Sequence, residues 1–179
     1  MKLKNQALPA FLLHLLKWEG SCVPTPAEDN AQAYERCRQQ AFADDADDPG
    51  GPTMMGVTLR TFRIWRTTFL MRPEPTADDL RSLSYDEWQQ IVEGLFWRYY
   101  SLHTVPFDCL ALAIADEIWT SGRAGIRDVQ EVLGCTPDGI IGRETLGAMR
   151  HRLRKRDAAR AACVMLMQKR LERLRRLPR

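Results

Sequence analysis

Two stretches decide how this chain reads: Lys17-Trp18-Glu19-Gly20, and Asp44-Asp45-Ala46-Asp47-Asp48-Pro49-Gly50-Gly51-Pro52-Thr53-Met54-Met55-Gly56-Val57-Thr58. In the first, a carboxylate closes an apolar helical run. Leu8, Phe11, Leu12, Leu15, Leu16 and Trp18 recur at roughly the spacing of a buried helix face. Gly20 then stands just past the predicted helix end, where a left-handed backbone costs least. Glu19 is thereby placed at a helix C-terminus, where the macrodipole disfavours negative charge. Burial beside Trp18 would penalise the ionised form too. Both influences move a carboxyl toward the range in which it can protonate a leaving-group oxygen. The plainer alternative is a solvated glutamate at a frayed helix end.

The second stretch is acidic and then glycine-rich. Asp48-Pro49-Gly50-Gly51 is a turn signal, and Thr53 to Thr58 reads as a short β-strand. One carboxylate of Asp44 to Asp48 faces Glu19 on a functional reading, and all serve the turn on a structural one. Thr58 has two readings as well. It caps the next helix, whose apolar face is Leu59, Phe62, Trp65 and Phe69, or it positions a water or a sugar hydroxyl.

The order of these pieces resembles glycoside hydrolase family 108, a family of lysozyme-like N-acetylmuramidases. Its pattern runs Glu-Gly-Gly, a short spacer, then Asp-Pro-x-Asp-Pro-Gly-Gly-x-Thr-x-x-Gly-Ile-Thr. Glu19 falls on the family's catalytic glutamate, and Asp48 to Thr58 on its turn and strand. Ser21 replaces the second glycine, Ala46 replaces a proline, and about twenty extra residues, Ser21 to Gln40, separate the two motifs. The resemblance implies a mainly α fold: a lysozyme-like α+β domain with a small β-turn/strand segment and a C-terminal helical subdomain. By similarity to phage-type lysozymes, Asp45 is the second carboxylate. Asp48, Thr53, Trp97 and Asp116 are the expected substrate-binding residues.

Downstream, Ser84-Tyr85-Asp86-Glu87 is a capping box opening a helix with Trp88, Ile91, Val92 and Leu95 on one face. It ends in Phe96-Trp97-Arg98-Tyr99-Tyr100, aromatics that either stack on sugar rings or fill the core. A Tyr/Phe-Trp pair ahead of a variable loop is typical of the family. Phe107 to Trp119 is the predicted central helix, and Asp116 within it needs a partner or a wet cleft. Leu133-Gly134 followed by Asp138-Gly139-Ile140-Ile141-Gly142-Arg143-Glu144-Thr145-Leu146 resembles the predicted peptidoglycan-binding region that accompanies the family. Such a turn also fixes helix packing whether or not it binds anything. The last helix, roughly Asp157 to Leu174, carries Ala161, Val164, Met165, Leu171 and Leu174 between basic residues. The expected organisation is a catalytic region at 1–105, with its insertion at about 21–40, and a helical region at 106–179 packed with it as one unit.

Charge is asymmetric. Residues 150–179 hold twelve Lys/Arg against Asp157 and Glu172, whereas the chain as a whole carries only +3. A basic tail suits an anionic partner or is a solvated helix face. Cys22, Cys37, Cys109, Cys135 and Cys163 lack metal or nucleophile spacing, and their odd number is no disulfide framework. Cys22 and Cys37 bridge only in an oxidising compartment, and reduced thiols are the default expectation. His14, His103 and His151 show no ligand spacing, so no metal and no cofactor are expected.

The N-terminal apolar run is short, holds Pro9 and His14, and has no small-residue cleavage site, so it reads as a core helix rather than a signal peptide. No stretch is long enough to span a membrane. The expectation is a protein made in the bacterial cytoplasm that acts in the periplasm or envelope after phage-type release or dedicated secretion. Its expected activity is hydrolysis of the β-1,4 bond between N-acetylmuramic acid and N-acetylglucosamine by a monomer acting on peptidoglycan glycan strands, with Glu19 as general acid. A lysozyme-like scaffold that binds glycan or serves secretion without catalysis is the alternative. A nucleic-acid partner is not expected, since charge alone would support it.

Overall fold

A computed structural model describes residues 5–45 and 50–176. The chain is mainly helical with one small antiparallel sheet, the lysozyme-like α+β class that the sequence implies. It divides into two compact units, residues 12–96 and residues 1–11 with 97–179. The second unit thus begins near residue 97 rather than 106, and it includes the N-terminal residues.

In the unit of residues 12–96, helix α1 (Ala7–Glu19) delivers Glu19 as its last residue. Its buried side chains here are Leu12, Leu15 and Leu16. Helix α2 (Asn30–Ala41) opens on a reciprocal capping box, Asp29 with Gln32. Three two-residue strands follow, β1 (Phe42–Ala43), β2 (Thr53–Met54) and β3 (Val57–Thr58), paired antiparallel in chain order. The single strand expected over Thr53 to Thr58 is therefore a hairpin. Met54 pairs with Val57, and the two turn residues, Met55 (φ 47°) and Gly56 (φ 77°), are both left-handed, as a two-residue type I′ connection requires.

The insertion at 21–40 does not lie on the surface as a loop would. Ala33, Tyr34 and Cys37 of α2 are buried, and the Tyr34 hydroxyl donates to the Leu83 carbonyl at 2.9 Å. The Tyr34 ring also packs tilted on Trp88, 5.4 Å away. Cys22 and Cys37 are joined in a disulfide with Cα atoms 5.8 Å apart, against the default expectation of thiols. It closes a 15-residue separation that begins three residues after Glu19. A loop of that size implies about 3 kcal/mol of stabilisation, hence a Tm lower by roughly 5–10 °C in the Cys22→Ser/Cys37→Ser double variant. Calorimetry of oxidised wild type against that variant checks this, and equal Tm values would refute it.

Beyond the sheet, α3 (Leu59–Ile64) runs into a π-helical turn, Trp65–Phe69. Short helix α4 (Ala77–Arg81) and α5 (Tyr85–Ile91) follow, and then a second π-helical turn, Val92–Arg98. Only half of the expected capping box at Ser84 forms. Its hydroxyl accepts from the Glu87 amide at 3.3 Å, while the Glu87 carboxylate pairs with Arg66 instead, 3.1 Å away.

The other unit is built on α6 (Asp108–Val132) and α8 (Arg156–Arg175), with α7 (Arg143–His151) between them in sequence. Helix α6 is kinked at Gly122, whose φ of 51° no helix tolerates. The packed side of α8 is Ala159, Ala162 and Leu166, while the apolar residues singled out from sequence, Val164, Met165, Leu171 and Leu174, are exposed. What the basic helix answers is α6. Asp116 pairs with Arg170, Glu117 and Asp128 share Arg173, and Glu131 pairs with Lys169. The expected choice between an external anion and solvent omitted this third use of the charge.

The segment after α6 is explained by one buried side chain. The Gln130 amide nitrogen meets Asp138 Oδ1 at 2.7 Å, the Ile140 carbonyl at 2.9 Å and Thr145 Oγ1 at 3.1 Å. Its amide oxygen accepts from the Gly139 amide at 2.8 Å. Asp138 and Thr145 of that motif, with the backbone of Gly139 and Ile140, thereby satisfy Gln130, as burial of an amide demands. They fix a turn.

Candidate active site

The site candidate centres on the end of α1. The chain turns there by donating two amides, of Gly20 (3.2 Å) and Cys22 (3.0 Å), to the Leu16 carbonyl. Sequence reasoning placed the left-handed residue at Gly20, but it is Ser21, at φ 48°. Gly20 is needed for space. A Cβ there would stand 2.2 Å from Met55 Sδ and 2.9 Å from the Leu16 oxygen. Met55 itself is fully buried, and its carbonyl accepts from Trp88 Nε1 at 3.1 Å. The helix end that carries Glu19 is thus seated on the β2–β3 turn, and that turn is held from its other side by Trp88.

Glu19 is exposed, and Trp18 is 65% exposed. The expected burial of Glu19 beside Trp18 is therefore absent, because the covering of α1 stops at Leu16. Instead, Trp18 presents an open indole one residue before Glu19, with Lys17 Nζ 5.0 Å from the ring centre and His14 6.3 Å away. Asp45 lies two residues beyond β1 and is exposed. Thr53 and Thr58 flank the hairpin and are directly paired, Thr53 with its hydroxyl on the Gly51 carbonyl at 3.1 Å. Thr58 takes the capping role, accepting from the Thr61 amide at 3.2 Å. Asp48 lies outside the described residues.

Trp97 and Asp116 belong to the other unit. Trp97 is only 2% exposed, its ring 5.6 Å from that of Phe11, so it is a core aromatic and offers no surface to a sugar. Asp116 is half-buried and engaged with Arg170 on α8. The exposed aromatic at this helix end is Trp18, which the apolar periodicity places with the buried residues of α1. Among the described residues, no group of three or more His, Cys, Asp or Glu side chains could hold a metal, and no helix is long and apolar enough to cross a membrane.

A mainly α chain with a small sheet against a Glu-bearing helix end belongs to the lysozyme-like fold class. Residues 38–122 match the family model of Glycosyl hydrolase 108. The matched span starts after most of the insertion, so it includes the acidic turn, the hairpin and Thr58 but not Glu19, and it stops before the Asp138 motif. Among solved structures, that titled "Structure of Brucella abortus SagA" is similar at 26% identity and a TM-score of 0.56, covering 80% of this chain and 79% of that one. No curated protein matches the chain.

Proposed function

We propose that this protein cleaves the β-1,4 bond between N-acetylmuramic acid and N-acetylglucosamine in peptidoglycan, with Glu19 as general acid. The observation that carries the reading is the seat of Gly20 on Met55. It holds the helix end bearing Glu19 against the sheet whose β1–β2 connection carries Asp44 to Asp48. Two carboxyl groups are the machinery that glycosidic cleavage needs: one protonates the departing oxygen, and the other supports the oxocarbenium-like centre or its water. Asp45 is the second carboxylate in this reading, and Thr58, already half-buried at the hairpin, orients a water or a sugar hydroxyl. The Cys22–Cys37 bridge supports work in an oxidising envelope compartment.

Digestion of purified sacculi, followed by borohydride reduction and mass spectrometry, tests the bond. Muropeptides ending in reduced N-acetylmuramic acid are expected. Products ending in reduced N-acetylglucosamine would overturn the bond assignment, and sacculi bound but left intact would make the scaffold a binding protein.

Trp18 supplies sugar stacking beside the acid in this reading. A tryptophan face on a pyranose ring contributes on the order of 1 kcal/mol, so Trp18→Ala should raise KM for soluble glycan chains several-fold at nearly constant kcat. Steady-state kinetics on those chains decides it, and an unchanged KM would remove Trp18 from the site.

A further inference from the structure

We infer that Cys109 and Cys163 are a disulfide-forming pair, a second redox site that staples the start of α6 to α8 when oxidised. The register of the two helices places them together. Asp116 on α6 meets Arg170 on α8, 54 residues later in the chain. Seven residues back along both helices, at the same offset, stand Cys109 and Cys163. Seven residues is two helical turns, so contacts at that step recur on one seam. Cys109 lines one groove together with Arg156, Ala159 and Arg160 of α8, so the two helices run side by side at that end. Cys135, the remaining thiol, is buried elsewhere in the same unit.

Access is asymmetric. Cys109 is exposed at the rim of a groove of about 570 Å³ lined by Asn5, Asp108, Arg156 and Arg160 among others, whereas Cys163 is half-buried. Burial, and then the neighbouring Cys109 thiol, push the Cys163 thiol up to about 11. Cys109 therefore reacts first with a small disulfide oxidant such as oxidised glutathione. Its sulfur bonds to one glutathione sulfur and expels the other glutathione as thiolate. Cys163 then loses its proton to solvent, attacks the Cys109 sulfur and expels the second glutathione. Two protein thiols are oxidised to one disulfide, and one glutathione disulfide is reduced to two thiols. The pair needs nothing from the hydrolase reading, so either can fail alone.

The test is peptide mapping of the full chain after reduction and re-oxidation with oxidised glutathione at pH 8.5. Trapping with an alkylating agent and trypsin digestion follow. A cross-link between the segments 99–123 and 161–169 is expected, with Cys135 alkylated, so that accessible thiols fall from the three of the starting protein to one. In Cys163→Ser, Cys109 should instead retain glutathione, because no second sulfur is at hand to expel it. Alkylation of both Cys109 and Cys163 in protein whose Cys22–Cys37 bridge has re-formed would overturn the proposal. So would a Cys109–Cys109 link between two molecules in place of the internal one.

Discussion

Glu19→Gln is expected to lower hydrolysis of purified peptidoglycan by about 10²–10⁴-fold, the range that a positioned general acid supplies. Glutamine keeps the size and the polar reach of the side chain but has no proton to transfer to a departing sugar oxygen. The loss should fall on kcat and leave KM nearly unchanged, since a proton in flight exists only in the transition state. Sedimentation of the variant with sacculi should therefore equal that of wild type. Asp45→Asn should reduce kcat too, through the oxocarbenium-like centre rather than the leaving group. The seat of the helix end makes the experiment interpretable. Gly20 under Met55 and Met55 under Trp88 fix the backbone at residue 19 without using the carboxylate. Wild-type rates in Glu19→Gln would remove this residue from the mechanism and move attention to the acidic turn that follows β1.

What was legible in the sequence was the order of the parts. The helix ending at Glu19 and the cap at Thr58 both stand where local chemistry puts them. Local chemistry does not show where covering ends along a helix. Trp18 shares the stripe of Phe11 and Leu15, yet the packed part of α1 stops at Leu16, so the indole read as burying Glu19 is open. Trp97, read as a possible platform, is covered by Phe11 from far earlier in the chain. Gly20 is required at the helix end, but for space rather than for a left-handed backbone. Its absent Cβ makes room for Met55, 35 residues away, and no helix-end rule contains that contact. The cysteine pair was legible, Cys22 with Cys37, but its oxidised state was not. An odd cysteine count does not show that α2, with its Ala33–Tyr34 face buried, brings these two sulfurs together. Nor does a run of twelve cations in the C-terminal thirty residues reveal that three of them are spent on the acids of α6.

A stability effect as large as loss of the disulfide should come from Arg173→Ala, at roughly 3 kcal/mol of destabilisation at neutral pH. Arg173 is shared by Glu117 and Asp128, and Glu117 is 2% exposed. Removing the cation leaves a carboxylate buried without its charge partner, which costs more than the pair itself contributes. Burial already pushes the Glu117 carboxyl above its ordinary range, and Arg173 opposes that push. Without Arg173 the shift grows. A raised folded-state pKa gives a contribution to stability that is fully present below the unfolded value and lost as pH rises through the folded one. The deficit of Arg173→Ala relative to wild type should therefore be widest near pH 7.5 and narrow toward pH 4.5. Asp138 and Glu28 run the other way, their carboxyls held low by Gln130 and Arg36 respectively, so wild type itself loses their contribution as pH falls. Those two groups are common to both proteins and cancel in the difference. Urea unfolding of both proteins at the two pH values measures it. A deficit of equal size at both would mean that Arg173 acts through packing of its stem and not through Glu117. Glu117→Gln in the Arg173→Ala background separates the two. If the buried charge is the cost, neutralising it should recover more than half of the lost stability at pH 7.5 and less at pH 4.5, because the raised Glu117 carboxyl takes up its proton as pH falls.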